Sequence, residues 1–479
     1  MNAPLRRVAI SVLVLFTLLI VNVNYIQVVR SDELRSDAGN RRVIIEEYGR
    51  QRGSIVVAGN EIALSVETGG DLTFLRQYPQ GPLYAGVTGY YSYLYGASGI
   101  ERAENDVLTG DDARLLTQRL SDIFTGRDPS GGDVVLTLDP AVQEAAMAGL
   151  EGVTGAVVAL DPSTGAVLAL ASTPTYDPNL LSSHDGAAVR DYAAQLEAAE
   201  RDPRLNRAIR DNYPPGSVFK VVVSAAALST GDYTPDTVIP APDVLTLPGT
   251  STTLQNFGGS RCSAGGEQPL IDALTISCNT AFALLGIELG EDRIREAAEA
   301  FGMDGEGLQI PMPTVGSSVG DPENDAQLGV SSIGQQDVRM TPLQAAMVAA
   351  AVANDGTLMA PYLVDQLRAP DLRVIEQTDP DELSEAVSPE VADQLTEMMV
   401  SVVANGSGRA ARISGIDVAG KTGTAENAGP DHNWFIGFAP ADDPQIAVAV
   451  FVANGGGTGG DVSAPIARQV MQAHLAGEG

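Results

Sequence analysis

Lysine is nearly missing from this chain: of its 29 basic residues only Lys220 and Lys421 are lysines, and the rest are arginines. Basic residues of both kinds are scarce against 61 acidic ones, which leaves a formal charge of −32. A nucleic-acid binder needs a basic face to displace counterions from phosphates, so that class is excluded. Three histidines (His184, His432, His474) and two cysteines are too few soft ligands for a zinc finger, an iron–sulfur cluster or a histidine-rich site, and no metal is expected. Glycine (51) and proline (28) make up about a sixth of the 479 residues, too little for a collagen-like or low-complexity chain. What is there is 44% hydrophobic, enough for two or three domains with cores of their own. Arginine does not release its proton in a protein, whereas a buried lysine does. Two lysines in an arginine-based chain stand either where a proton must move or where chance put them, and their neighbourhoods decide.

Residues 1–7 carry Arg6 and Arg7, and from Val8 to Val29 the chain is almost wholly apolar, with Asn22, Asn24 and Gln27 towards the far end. About 22 such residues cross a hydrocarbon core of ~30 Å. Two arginines before the span favour a cytoplasmic N-terminus. No small-x-small cleavage signal follows in VNVNYIQVVRSDEL, so residues 8–29 read as a single-pass signal anchor rather than a cleaved signal peptide. Either way, the bulk of the chain is expected on the extracytoplasmic side of the cell membrane.

Residues 30–135 read as a small pedestal or docking module. They hold short strands at Val43–Ile45 and Ser54–Val57, a helix over Glu101–Phe124, a tyrosine cluster suited to packing (Tyr84, Tyr90, Tyr91, Tyr93, Tyr95), and a linker over Thr125–Asp133. Residues 136–479 read as one larger domain. A strand over 134–139 and a helix over Pro140–Leu150 lead into two β-rich runs within 155–173, which flank the hairpin signal Asp161-Pro162-Ser163-Thr164-Gly165. Helical stretches fill much of 217–300 and 336–354, and strand-like runs return in DVAGKTGTAE, HNWFIGFAP and QIAVAVFVA. A sheet made from the two ends of a domain, with helices between, is an α+β architecture.

Three short motifs carry chemistry. In Tyr213-Pro214-Pro215-Gly216-Ser217-Val218-Phe219-Lys220 the prolines and glycine end one segment, and an apolar helix begins near Ser217. Ser217 and Lys220, three apart, share a helix face. Ser217 would stand at the helix N-terminus, where the dipole favours developing negative charge. Burial of Lys220 beside Phe219 and Val221–Val223 would depress its pKa towards that of a usable base. The second motif, Ser277-Cys278-Asn279, breaks two apolar helical runs, and its hydroxyl and amide can both point into one cleft. The third, Lys421-Thr422-Gly423-Thr424, is strand-like: Thr422 and Thr424 share one face, and Gly423 lets a ligand's backbone approach the strand closely, as a substrate-binding residue. Each has a bland reading as a cap, a helix break or a strand.

Ser-x-x-Lys, Ser-x-Asn and Lys-Thr-Gly in that order, with both lysines inside them, form a combination that resembles the penicillin-recognising serine transpeptidases. YPPGSVFK, SCNTAF, SSIGQQDVRMTPLQAAMVAAAVANDG, VAGKTGTAE and WFIGFAP all read like the penicillin-binding proteins. The likeness runs over about 155–475. Upstream, the anchor and Arg52-Gly53-Ser54-Ile55 look like the start of a class B, monofunctional member, most similar to the actinobacterial penicillin-binding protein A type. Nothing resembles the glycosyltransferase region of a bifunctional enzyme.

The resemblance implies an antiparallel sheet flanked by helices and a D,D-transpeptidase acting on peptidoglycan stem peptides that end in D-Ala-D-Ala, with β-lactams as mimics. Ser217 would be the nucleophile, Lys220 its base, Ser277 the proton relay and Asn279 the group that orients the substrate amide. Lys421, Thr422 and Thr424 would hold the terminal carboxylate, and the backbone N–H groups of Ser217 and Thr424 the oxyanion. No organic cofactor is implied. A polytopic glycan polymerase of the FtsW/RodA type is an implied partner. Alternatives with the same serine are a carboxypeptidase or β-lactamase-like hydrolase, and a non-catalytic β-lactam sensor or scaffold; only about seven residues precede the anchor, too few for a signalling domain.

Two other motif matches are decoys. Gly415–Thr422 fits the P-loop pattern, but a P-loop opens a helix, and here strand-like text with Gly423, Gly429 and Pro430 follows. Gly316-Ser317-Ser318-Val319-Gly320 fits a nucleophile elbow, which needs a strand before and a helix after, yet prolines surround it. His184 and His432 read as packing or surface residues. Cys262 and Cys278 are close in sequence in an exported chain, which favours a disulfide over two separate buried thiols.

Overall fold

The computed structural model describes residues 2–26, 47–70, 72–115, 130–305, 307–308 and 310–477. Its first helix, α1 (Asn2–Asn24), contains a stretch, Arg6–Asn24, long and apolar enough to cross a membrane, with none of it covered by the rest of the chain. The end of the expected span (27–29) and the expected strand at 43–45 lie outside the described residues.

The longer strands, in chain order, are β1 (Ile55–Val57), β2 (Asn60–Glu67), β3 (Phe74–Gln77), β4 (Asp133–Leu136), β5 (Thr154–Leu160), β6 (Val167–Thr173), β7 (Val364–Arg368), β8 (Val374–Gln377), β9 (Ala419–Ala425), β10 (His432–Ala439) and β11 (Ile446–Ala453). They build two sheets. A six-stranded sheet, ordered β8-β7-β4-β1-β2-β3, is antiparallel except for the β1–β4 pair. Two of its strands come from residues 364–377, so it straddles the boundary expected at 135. A five-stranded sheet, ordered β9-β10-β11-β5-β6, is antiparallel throughout. It joins the two ends of the larger segment, with the helices between them in sequence.

The principal helices are α2 (Pro140–Gly149), α3 (Lys220–Leu228), α4 (Leu270–Thr275), α5 (Asn279–Leu289), α6 (Pro342–Ala353), α7 (Pro389–Ala404) and α8 (Gly459–Leu475). Helices α2 and α8 cover one face of the five-stranded sheet and α6 the other. That is why its strands read as continuous apolar runs and not as an alternation. The period of two instead sorts residues between two cores. Trp434, Ile436, Phe438, Ala447, Ala449 and Phe451 face the core around α3 and α6. Phe435, Val448, Val450 and Val452 face the core around α2 and α8. The hairpin β5–β6 turns at Asp161–Gly165, where Gly165 takes φ 81°.

One expectation fails. The helix expected over Glu101–Phe124 is two short helices, Gly99–Ala103 and Asn105–Thr109, followed by a 3₁₀ turn at Ala113–Leu115; residues 116–124 lie outside the described ones. Gly110, in the left-handed region at φ 77°, ends the second helix, and the N–H groups of Asp111 and Asp112 close it by bonding to Asp106 O.

Candidate active site

Ser217 sits in a 3₁₀ turn, Gly216–Phe219, that feeds directly into α3. The helix expected to start near Ser217 therefore starts one turn later. In a 3₁₀ turn residues i and i+3 eclipse, which stacks Ser217 over Lys220. The turn exists because two backbones meet there: Gly216 N–H donates to Gly334 O at 2.9 Å, and both residues take positive φ, 54° and 74°. A Cβ on Gly334 would lie 1.9 Å from Gly216 O, so no other residue fits. Trp434, the only tryptophan, donates from Nε1 to Pro214 O at 3.0 Å and fixes the approach to the turn.

Ser277 is held in a strained conformation. Helix α4 ends in a Schellman motif: Cys278 N–H bonds to Ala273 O at 2.8 Å and Ser277 N–H to Leu274 O at 3.1 Å. The first residue beyond the helix end in this motif is left-handed, and here it is Ser277, with φ 62° at a place where glycine is usual. The loop around it is tied down. Cys278 is bonded to Cys262 with a Cα–Cα separation of 5.7 Å. Asn256 Oδ1 accepts from the N–H groups of Asn279 (2.8 Å) and Thr280 (3.2 Å), capping α5.

The two lysines meet at Ser277. Lys220 Nζ donates to Ser277 O (2.8 Å), Asn279 Oδ1 (2.8 Å) and, more weakly, Ser277 Oγ (3.3 Å). Lys421 Nζ donates to the same Ser277 Oγ (2.9 Å) and to Thr422 O (2.8 Å). Both side chains are fully buried, and every acceptor is neutral. Desolvation, and after it repulsion from Lys421, holds Lys220 well below its ordinary value. Desolvation brings Lys421 down to about 7. A buried amine with no carboxylate beside it favours its uncharged form. Ser217 is half-buried, and its hydroxyl makes no hydrogen bond among the described residues.

β9 closes the site as the free edge of the five-stranded sheet. Gly423 lies against the Gly216–Phe219 turn, where a Cβ would meet Pro215 O at 2.7 Å. A Cβ on Gly216 would meet Thr424 O at 2.5 Å, so the Thr424 carbonyl faces the turn. In an antiparallel strand the N–H of one residue points the same way as its C=O, which turns Thr424 N–H towards Ser217. Thr422 Oγ1 is 2.6 Å from Ser407 Oγ, and Thr424 Oγ1 accepts from Gly459 N–H at 3.2 Å. Ser407, Asn256 and Gly334 were invisible as site residues; all three act through loop contacts that no local pattern marks.

The other motif matches lack the context they would need or are packing residues. The P-loop-like stretch runs into strand β9 and not into a helix. His432 packs on Tyr213 and Phe451 with ring centroids 5.6 and 5.5 Å away, and His184 meets the edge of Tyr48.

Residues 155–472 match the penicillin binding protein transpeptidase domain family, and residues 52–134 the penicillin binding protein A dimerisation domain. The chain is 47% identical to the peptidoglycan D,D-transpeptidase PbpA of Mycolicibacterium smegmatis, over 99% of each chain. It belongs to the class B penicillin-binding proteins. Among these it is of the penicillin-binding protein A type: it is also 46% identical to the PbpA of Mycobacterium tuberculosis over the full length of both. This class B protein superposes on solved structures of M. tuberculosis penicillin-binding protein A. The ceftriaxone acyl-enzyme complex gives a TM-score of 0.88 at 45% identity, over 90% of this chain and 100% of that one. The penicillin G acyl-enzyme complex gives 0.86 at 45% identity, over 89% and 100%.

Proposed function

We propose that this protein is a D,D-transpeptidase that crosslinks peptidoglycan stem peptides through an acyl enzyme on Ser217. The observation that carries the reading is the pair of buried lysines converging on Ser277 one turn from Ser217, with no ion pair to an acid among the described residues. Uncharged Lys220 takes the proton of Ser217 as Oγ attacks the carbonyl of the penultimate D-alanine. The N–H groups of Ser217 and Thr424 hold the oxyanion, which develops beside preorganised donors. The C–N bond breaks, and Ser277, within reach of both amines, passes a proton to the departing D-alanine amine. Asn279 orients the substrate amide, while Lys421, Thr422 and Thr424 hold the terminal carboxylate. An amine of a neighbouring stem peptide then attacks the ester and frees Ser217. β-Lactams enter by the same first step and stay bound.

The apolar helix α1 anchors the chain by a single pass, with residues 136–479 as the catalytic domain and 30–135 as its pedestal, outside the cytoplasm. A glycan polymerase of the FtsW/RodA type would supply the strands. Peptide mapping by mass spectrometry after penicillin treatment tests the core of this reading: the adduct is expected on Ser217, and an adduct on any other residue overturns it.

A further inference from the structure

Ser407 belongs to none of the three motifs. It lies in the loop that follows α7, with an exposed side chain, and it touches both walls of the site. Its Oγ is 2.6 Å from Thr422 Oγ1 on β9. Its N–H donates to Thr275 O at 3.2 Å, and Thr275 ends α4, two residues before Ser277. Thr275 is in turn pinned to α7, since its Oγ1 donates to Ser401 Oγ at 2.8 Å. The Ser407 carbonyl is backed by the first turn of α8, where a Cβ on Gly460 would come within 2.4 Å of it. One serine thus spans the strand of the third motif and the helix that presents the second.

A hydroxyl alone rotates freely. When two lie at hydrogen-bond distance, one donates to the other and the acceptor keeps its own proton pointed away from the pair. Thr424 is held likewise: its oxygen accepts from Gly459 N–H, which leaves its proton free to donate. Thr422 and Thr424 stand on one face of the strand. We propose that Ser407 is a positioning residue for the donor peptide's terminal carboxylate: it fixes the rotor of Thr422, so that the hydroxyl pair presents a pre-aimed O–H to the anion. The proposal rests on the reading of Thr422 and Thr424 as the carboxylate-binding residues.

The test compares Ser407→Val with Ser407→Thr in the full-length chain. They have nearly the same shape and differ in the hydroxyl. Acylation rates are read with a penicillin bearing its free carboxylate and with the methyl ester of the same penicillin. Ser407→Val is expected to slow the carboxylate compound about tenfold, the scale of one hydrogen bond to a charged group. The ester should change less than twofold, and Ser407→Thr should keep both rates within twofold of wild type. A parallel loss on both compounds would mean general distortion and overturns the proposal; so does unchanged discrimination in Ser407→Val. If the wild-type protein is acylated equally fast by the free acid and the ester, the carboxylate reading itself falls, and this proposal with it.

Discussion

Two clusters of buried charge lie in this molecule, and they are built on opposite principles. In the N-terminal region, Glu101, on the short helix Gly99–Ala103, is fully buried between Arg52 and Arg76, with ion-pair distances of 2.6 Å to each. Burial alone would raise the carboxyl's pKa, but the charges and hydrogen bonds of the two guanidinium groups outweigh it and hold it below its ordinary value. Tyr78 OH donates to the same carboxylate at 3.1 Å. In the active site, two fully buried amines face only carbonyl, hydroxyl and amide oxygens. Burial with a counter-charge fixes a protonation state and serves structure. Burial without one leaves the state adjustable, which acid–base chemistry requires. The residue types fit this contrast: arginine keeps its charge when buried, whereas a buried lysine can release its proton.

The hardest test of this contrast puts the structural residue into the chemical site. Lys220→Arg puts a slightly longer, permanently charged side chain there and removes the proton acceptor. Acylation by a fluorescent penicillin is expected to fall by roughly 10²–10⁴, the usual cost of losing a general base. Near-normal labelling would remove Lys220 as the base. The reciprocal test is Glu101→Gln, which leaves two buried guanidinium groups facing a neutral amide. Breaking a buried ion cluster from one side costs about 3–5 kcal/mol, so chemical unfolding should shift by that amount while acylation of the still-folded protein stays within about twofold. The stability from Glu101 is fully present above the carboxylate's ordinary pKa of 4.5. It is lost as pH falls through the depressed folded value.

The contrast can also be blurred by one atom pair. Asn279→Asp places a carboxylate where an amide oxygen now accepts from Lys220 at 2.8 Å. This makes the site resemble the N-terminal cluster: Lys220 keeps its proton, acylation near pH 7 falls about a hundredfold, and part of the rate returns as pH is raised towards 10. A loss that does not recover with pH would show that Asn279 matters for reasons other than the lysine's charge.

Much of this was readable in the sequence because it is local or periodic. The hairpin over 155–173, the buried strands at the C-terminal end and the three motifs each occupy a short window. What escaped is non-local. Arg52, Arg76 and Glu101 are separated by up to 49 residues and look like ordinary surface charges in a charged segment. Strands β7 and β8 join the N-terminal sheet across more than two hundred residues, and no hydropathy pattern records a pairing partner. The left-handed Ser277 is the clearest case. The Schellman position asks for glycine, a serine stands there, and only the backbone shows that local preference yielded to the need for a hydroxyl between two amines.

The finest probe concerns how the two lysines share the site. Lys421 is the second cause of the depressed Lys220 pKa, after desolvation. Lys421→Met removes that repulsion while leaving the site apolar and closed. Lys220 should then hold its proton more tightly, so the acid limb of the acylation rate moves to higher pH and the rate at a fixed pH on that limb falls. Stability should move too. Folded Lys421 loses its proton at about 7 against an ordinary 10.5, so between those values the unfolded chain binds more protons and wild-type stability rises with pH. The methionine variant lacks this contribution, and its stability should climb less over the same interval. An acid limb that stays put or moves down would mean that burial alone sets the Lys220 proton and that the second lysine serves substrate only.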